Sequence, residues 1–178
     1  VCYPILRMHD KFGIETRIVD ITPVREQMVN ALSGKTEFTD LALANINPRI
    51  RMTTLYTIAA SENLLVAGTG NRSERYMGYF TKWGDGGCDF NPISDLTVRE
   101  VYEFLEYLDA PMAVRTKAPS AALFEGQTDE QEMGITYKAI DDYLLFGTAT
   151  KEDKEKIESA HARTAHKRVM PTVYKNED

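Results

Sequence analysis

The residues best suited to chemistry lie in one polar loop that follows a short apolar run. The run 64–67 (LLVA) predicts a buried strand, and Gly68 ends it. The loop then combines several glycines with charged side chains, namely Arg72, Glu74, Lys82, Asp85 and Asp89. This stretch shows little helical or strand periodicity. Because open α/β sheets bind ligands at the carboxyl ends of their strands, we expect this loop to form a ligand site.

Alternating strands and helices are predicted to position this loop. Residues 17–21 (RIVDI) predict a strand, and the run 64–67 predicts a second one. Caps, stop residues and apolar periodicity indicate five helices. The first runs from Thr22, with Pro23, to a stop at Gly34, and the second from Asn47-Pro48 to about Ala60. The third begins at a Thr97–Glu100 capping box, the fourth runs from Thr136 to Phe146 with a stop at Gly147, and the fifth runs from Thr150, with Asp153, towards His166. Such alternation predicts an α/β fold, with a doubly wound, Rossmann-like parallel sheet flanked by helices.

Composition narrows the class of protein. The formal net charge of −6 and the lack of a basic run argue against a nucleic-acid surface. Cys2 and Cys88 have no spacing typical of a zinc site or a disulfide framework. No apolar run approaches the roughly 18 residues that span a bilayer, and no signal peptide is recognisable. We therefore expect a cytoplasmic protein that binds neither membranes nor nucleic acid.

The chain is predicted to form one domain, 1–178, in which residues 148–178 are a C-terminal helical extension. Only about ten residues separate Pro4 from the strand near Thr16, and a parallel crossover needs roughly a dozen or more. Residues 5–12 resemble the end of a helix whose beginning is absent. We therefore expect a loop to be missing after Pro4, and a strand–helix unit to be missing before Val1.

Four segments in series resemble the NAD synthetases, whose fold is that of the adenine nucleotide α-hydrolase-like proteins. They are residues 47–52 (NPRIRM), 68–92 (GTGNRSERYMGYFTKWGDGGCDFNP), 117–129 (KAPSAALFEGQTD) and 133–144 (MGITYKAIDDYL). The resemblance implies a ligase that amidates deamido-NAD. ATP adenylylates the nicotinate carboxylate, pyrophosphate leaves, and ammonia displaces AMP. No protein nucleophile is required, so positioning and charge stabilisation would supply the catalysis.

The resemblance also implies roles for individual residues. Thr69 and Ser120 would contact ATP, and Glu74 would bind Mg²⁺. The deamido-NAD contacts would come from five residues: Arg49, Lys82, Asp89, His166 and Lys167. The family places the dinucleotide at a homodimer interface, so some of these groups would serve the neighbouring subunit. The glycines of the segment 84–87 would let the backbone approach a ligand closely.

Plainer interpretations stay open for several of these residues. Glu74 could pair with a neighbouring arginine, Arg49 with acids on its own helix face, and Lys82 with Asp89 in a loop salt bridge. Ser120 could cap a turn after Pro119. His166 and Lys167 could be cations that favour a helix C-terminus.

Two departures from the family pattern leave alternative functions open. Val98 stands where the family has a lysine aimed at the ATP phosphates, and Arg99 follows it. No stretch matches the family's Ser-Gly-Gly-x-Asp-Ser loop, so these 178 residues alone are not expected to complete catalysis. One alternative is a non-catalytic fragment or paralogue that binds a nucleotide or dimerises. Another is a different ATP-pyrophosphatase ligase, such as an amidating nucleotide synthetase, which the segments 47–52 and 78–87 disfavour.

Overall fold

Helices account for nearly all the regular structure that the computed structural model describes, which covers residues 3–120 and 128–174. In chain order they are α1 (Tyr3–Phe12), α2 (Thr22–Leu32), α3 (Asp40–Ala44), α4 (Ile46–Glu62), α5 (Arg72–Met77), α6 (Val98–Tyr107), α7 (Met112–Arg115), α8 (Asp129–Met133), α9 (Tyr137–Phe146) and α10 (Lys151–Arg163), and a 3₁₀ turn follows at Ala165–Lys167. In these two ranges, no helix has both the length and the apolar character needed to cross a bilayer.

The predicted helix caps are confirmed in the second half of the chain. Thr97 accepts a hydrogen bond from the Glu100 amide, and the Glu100 carboxylate accepts one from the Thr97 amide, which completes a capping box at α6. Thr136 and Thr150 likewise accept amide hydrogen bonds at the starts of α9 and α10. Gly147 ends α9 in the left-handed conformation, with φ +68°. These ends are set by local hydrogen bonds and backbone conformation, so short stretches of sequence predict them.

The boundaries of the earlier helices differ slightly from the prediction. Thr22 lies inside α2 rather than capping it: Ile21 is the cap residue, and the Thr22 amide donates to Asp20 Oδ1 over 2.9 Å. Pro23 does lie in the first turn, where its missing N–H costs no helical hydrogen bond. Helix α4 begins at Ile46 and continues to Glu62. The short helix α3, which precedes it, was not predicted.

The predicted strands do not form a sheet within the described residues. The segment 17–21 has no regular secondary structure, and Ile18 is 72% exposed. Of the segment 64–67, Ala67 forms one isolated parallel bridge with Phe90, in which the Gly68 amide donates to the Phe90 carbonyl over 2.7 Å. A strand exists only through hydrogen bonds to a neighbouring strand, and no further partner lies beside either segment in the described part of the chain. The residues described here therefore do not themselves form the doubly wound sheet.

A small core joins α5, α6, α9 and α10. Its buried members are Met77, Val98, Ile135, Tyr137, Ile140, Ile157 and Ala160. Beside it, the buried Asp141 accepts hydrogen bonds from the Ser73 hydroxyl (2.5 Å) and the Arg99 amide (2.8 Å). Three helices are thus held together by one carboxylate. This arrangement fixes α5, which carries Glu74, against the core.

Helix α5 itself lies in a segment that the sequence interpretation treated as loop, and that interpretation was wrong. Asn71 caps the helix: its side chain accepts from the Glu74 amide, and Glu74 Oε2 accepts from the Asn71 amide, each over 2.9 Å. This is a capping box with asparagine in place of serine or threonine. A helix of six residues is too short to show a periodic apolar face, so the available signals were Asn71 at its start and Gly78 at its end.

Candidate active site

Two neighbouring cavities hold most of the residues for which the sequence predicted a role. The first has a volume of about 430 Å³ and includes Thr69, Glu74 and Ser120, the predicted ATP and metal contacts. The second has about 440 Å³ and includes Arg49, Lys82 and His166, from the predicted deamido-NAD set. Both are within the usual size range of small-molecule sites. The structure therefore groups these residues as the prediction does, although they come from distant parts of the chain.

The two cavities share a wall. Tyr79, Phe80, Asp85 and Lys167 line both of them. Lys167 Nζ donates to the carbonyl oxygens of Gly78 and Phe80, over 2.7 Å in each case. Its burial lowers the pKa of the Lys167 ammonium, and the nearby Asp85 carboxylate acts in the opposite direction. The prediction assigned Lys167 to deamido-NAD alone, whereas its position exposes it to the contents of both cavities.

Lys82 and His166 lie together at the second cavity. Lys82 Nζ donates to the His166 carbonyl oxygen over 2.5 Å, and it lies 5.4 Å from the centre of the Trp83 ring. In residues 3–120 and 128–174, Lys82 forms no ion pair with Asp89, so the alternative of a loop salt bridge is not seen. The contact with the His166 carbonyl instead ties the loop after α5 to the C-terminal 3₁₀ turn.

Asp89 is separated from the other predicted deamido-NAD residues. It lines neither cavity. Its Oδ2 accepts from the Val66 amide over 2.7 Å, and its Oδ1 accepts from the Tyr56 hydroxyl over 3.2 Å. Oδ2 thus supports the bridge between the segments near Val66 and Phe90, and Oδ1 ties this segment to α4, while the residue as a whole stays exposed.

Glu74 is the most perturbed acid of the first cavity. Burial raises the pKa of its carboxyl to about 7, and the Asp129 and Asp85 carboxylates add to this effect, while the Asn71 amide opposes it. Glu74 makes no ion pair with either adjacent arginine among the described residues: Arg72 donates to the Leu144 carbonyl oxygen and Arg75 to Ser94 Oγ. A half-buried carboxylate without a cationic partner favours binding of a cation.

The acidic side of the first cavity includes Asp129, which the sequence interpretation did not single out. Asp129 is 4% exposed and accepts from the hydroxyls of Tyr79 and Tyr137, each over 3.1 Å. Burial, together with the acids nearby, raises the pKa of both tyrosines, so both stay protonated as donors. The Asp129 amide also donates to the Pro119 carbonyl oxygen over 3.3 Å, which brings the start of α8 next to Ser120. The Thr128–Gln131 capping box was the sequence signal for α8.

These oxygen donors are compatible with Mg²⁺. The residues described contain no group of three or more His, Cys, Asp or Glu side chains at metal-binding distances. Mg²⁺ commonly binds nucleotide sites through only one or two carboxylates, and phosphates and water supply its other ligands. Glu74, with its raised pKa and its position in the cavity, is suited to be such a carboxylate.

Neither Val98 nor Arg99 contributes a charge to the first cavity. Val98 is buried in the core, and the Arg99 guanidinium pairs with Asp142 over 2.5 Å and lies 5.8 Å from the Phe146 ring centre. Arg99, which follows Val98, therefore does not supply the charge of the family's lysine at this cavity. Successive helical residues point about 100° apart, and this rotation turns Arg99 towards α9.

The glycines of the segment 84–87 make room for side chains of the protein itself. A Cβ atom at Gly84 would lie 2.8 Å from Pro48 Cβ, and one at Gly86 would lie 2.6 Å from Phe80 Cδ2. Gly84 thus allows close packing of this loop on α4, and Gly86 packs on Phe80 of the loop itself. Gly86 also lines the first cavity, so the approach of a ligand to this backbone stays a prediction. Of the predicted segment 117–129, residues 121–127 lie outside the described residues.

Comparison with known proteins identifies the family to which the chain belongs. A family model described as NAD synthase matches residues 4–178. The NH(3)-dependent NAD(+) synthetase of Carboxydothermus hydrogenoformans is 52% identical over 158 residues, which are 88% of this chain and 65% of that protein. The chain thus spans slightly less than two thirds of that relative.

Two solved structures resemble the fold. The NMN synthetase of Francisella tularensis superimposes with a TM-score of 0.92 at 38% identity, over 97% of this chain and 72% of that one. The NH3-dependent NAD synthetase of Campylobacter jejuni, in complex with a nitrate ion, gives 0.75 at 29% identity, over 96% and 69% of the two chains. The family match and these relatives show that the chain belongs to the NAD synthase family.

Proposed function

We propose that the protein is an ammonia-dependent NAD⁺ synthetase, a ligase that amidates deamido-NAD at the expense of ATP. The observation that carries this proposal is the wall shared by the two cavities. If ATP binds in the first cavity and deamido-NAD in the second, the α-phosphate and the nicotinate carboxylate meet at Tyr79, Phe80, Asp85 and Lys167. Holding two reactants in contact in this way can supply a large part of the rate acceleration.

In this proposal the chain's own residues bind and orient both substrates. Thr69 and Ser120 contact ATP, and Glu74 holds Mg²⁺, which neutralises phosphate charge when bound. Arg49, Lys82 and His166 bind the pyrophosphate and ribose groups of deamido-NAD. Lys167 lies where the carboxylate and the α-phosphate would meet, so its ammonium would stabilise the negative charge that develops there.

The proposed reaction proceeds in two displacements. A nicotinate carboxylate oxygen attacks the α-phosphorus of ATP, and the bond to pyrophosphate breaks. Ammonia then attacks the carboxyl carbon of the acyl adenylate, the bond from that carbon to the AMP oxygen breaks, and one ammonia proton is lost to solvent. The products are NAD⁺, AMP and pyrophosphate, and no residue of the protein forms a covalent intermediate.

Further parts of the proposal concern the whole assembly. The fold is proposed to contain the doubly wound parallel sheet of the adenine nucleotide α-hydrolase-like proteins, in one domain with residues 148–178 as a helical extension. The enzyme is proposed to work in the cytoplasm as a homodimer. Asp89 lies outside both cavities, so its contact with deamido-NAD would be made to the dinucleotide bound mainly by the partner subunit.

A second candidate function is amidation of nicotinate mononucleotide. It is favoured by the TM-score of 0.92 with a structure described as an NMN synthetase. The chemistry at the shared wall would be the same, because both acids carry the same nicotinate carboxylate. They differ in the adenylate half, which the mononucleotide lacks.

The test is turnover by the full-length protein with ATP, Mg²⁺ and ammonium, and with each of the two acids in turn. We expect NAD⁺ and AMP in equal amounts from deamido-NAD, at a higher kcat/KM than for the mononucleotide. The reverse preference would establish the second candidate. If neither acid is amidated, the protein is the non-catalytic relative that the sequence left open.

Two substitutions, compared in the same turnover assay, test whether deamido-NAD binds in the second cavity. Lys82→Gln should raise the KM for deamido-NAD about tenfold with little change in the KM for ATP, because one charged hydrogen bond to the dinucleotide is lost. Lys138→Gln is the matched control, since Lys138 lies on α9, is 79% exposed and lines neither cavity. Equal effects of the two substitutions would contradict the placement of deamido-NAD.

A further inference from the structure

Three cations line the first cavity, and two of them are already engaged by the protein. They are Arg75, Lys167 and Arg168. Lys167 donates to two backbone carbonyl oxygens, which leaves one of its three N–H donors for the role proposed above. Arg168 donates to Thr164 Oγ1 over 2.8 Å, and its other contacts are backbone carbonyl oxygens, including those of Tyr76 and His161. Both side chains thereby hold the C-terminal turn against α5.

Arg75 differs from these two cations because most of its donors have no partner in the part of the chain that the structure describes. It is exposed, and its one side-chain hydrogen bond within the described residues runs from Nη1 to Ser94 Oγ over 3.2 Å. Ser94 also lines the cavity. A guanidinium has five N–H donors in a planar fork, so at least four of them are available to a bound molecule. Arginine in this state is well suited to bind phosphate oxygens in pairs.

The loop that carries Ser94 is fixed at the end of the 64–67 segment. Asn91 Nδ2 donates to the Gly70 carbonyl oxygen over 2.8 Å, and the Asn91 carbonyl oxygen accepts from the Ser94 amide. Ser94 can therefore orient the Arg75 guanidinium along the cavity wall. The acid beside it on α5, Glu74, belongs to the same cavity, so adjacent residues of one helix place a cation and an acid there.

We infer that Arg75 binds the polyphosphate of the nucleoside triphosphate, with Ser94 orienting its guanidinium. This inference rests on the proposed function, because it places ATP in the first cavity. A ligand for this site would offer anionic oxygens to Arg75 and further oxygens to the metal ion that Glu74 is proposed to hold. A polyphosphate has both properties.

The test measures binding of Mg-ATP, Mg-pyrophosphate and adenosine to the full-length protein by calorimetry, for the original protein and for Arg75→Gln and Arg75→Lys. We expect Arg75→Gln to weaken ATP and pyrophosphate binding about 10-fold to 100-fold, as loss of a charged hydrogen bond does, and to leave adenosine binding unchanged. Arg75→Lys should recover part of the loss. The salt dependence of pyrophosphate binding should also become shallower in Arg75→Gln, because one ionic contact is gone.

The matched control is Arg72→Gln, on the same helix. The Arg72 guanidinium donates to the Leu144 carbonyl oxygen and does not line the cavity, so its loss should leave all three affinities unchanged. If the original protein binds ATP and Arg75→Gln binds it equally well, the inference is overturned while the proposed function stands. A loss of adenosine affinity together with pyrophosphate affinity would indicate damage to the cavity and would also overturn it. If the original protein binds neither ATP nor pyrophosphate, the proposed function fails and the inference fails with it.

Discussion

The substitution Glu74→Gln should stabilise the metal-free protein at alkaline pH, although it removes a residue proposed to bind Mg²⁺. Burial and the nearby carboxylates raise the pKa of Glu74 from 4.5 to about 7. The folded state therefore holds this proton more tightly than the unfolded state does between those two pH values. The free energy of unfolding consequently falls as pH rises through that window, and the loss is complete above about pH 8.

The size of the effect follows from the change in pKa. At about 1.4 kcal/mol per pKa unit, the change corresponds to an upper bound of about 3.5 kcal/mol. Partial exposure of the side chain reduces this figure, so we expect a gain of about 1–2 kcal/mol for Glu74→Gln at pH 8 and almost none at pH 4.5. Glutamine keeps an oxygen that can accept from the Asn71 amide, so the capping box is retained.

Glu100 provides a matched control, because it occupies the same capping-box position at the start of α6. There the amide and hydroxyl of Thr97 each donate over 2.7 Å and lower the pKa of Glu100. Glu100→Gln should therefore reduce stability at pH 8, in the direction opposite to Glu74→Gln. Urea unfolding in the presence of a chelator, at pH 4.5 and pH 8, measures the change in stability for both variants. If both substitutions change the free energy of unfolding at pH 8 in the same direction, the electrostatic argument is refuted. It is also refuted if Glu74→Gln is no more stable than the original protein at pH 8.

Three other substitutions test the packing that positions the site. Gly78→Ala should lower the free energy of unfolding by at least about 3 kcal/mol, because φ is +68° and the new Cβ would lie 2.2 Å from Thr164 Cβ. Gly134→Ala should lower it by only about 1–2 kcal/mol, because φ is +66° but the new Cβ would have nothing within 4 Å. Urea unfolding measures both values. Equal costs would show that backbone conformation alone decides both. Asp141→Ala should lower the free energy of unfolding by about 2–4 kcal/mol, because it leaves the buried Ser73 hydroxyl and the part-buried Arg99 amide without their acceptor. A cost below about 1 kcal/mol would show that this network does not hold α5 in place.

Local features were predictable from sequence. The ends of α6, α9 and α10 depend on threonine caps and on Gly147, and each of these interactions joins residues only a few positions apart. The capping box of α5 was equally local, but asparagine at the cap and the shortness of the helix hid it. The predicted strand at 17–21 is not confirmed by the described residues, because a strand depends on a partner that its own sequence does not specify.

The grouping of the site residues depended on long-range packing. The resemblance placed Arg49, Lys82 and His166 in one binding set, and the structure brings all three to one cavity. Sequence spacing did not indicate that Asp89 would be engaged by the Val66 amide and by Tyr56, away from that cavity. Residues missed altogether, such as Arg75 and Asp129, become candidates only through the side chains around them.

The most direct test of the central claim follows one oxygen atom. The full-length protein would react deamido-NAD, labelled with heavy oxygen in its nicotinate carboxylate, with ATP, Mg²⁺ and ammonium. The masses of the products would then be measured by mass spectrometry. Because the carboxylate attacks the α-phosphorus, the account predicts one labelled oxygen in each AMP and none in pyrophosphate. Unlabelled AMP, or label in a phosphate released alongside ADP, would contradict the acyl-adenylate mechanism and the shared-wall geometry on which it depends.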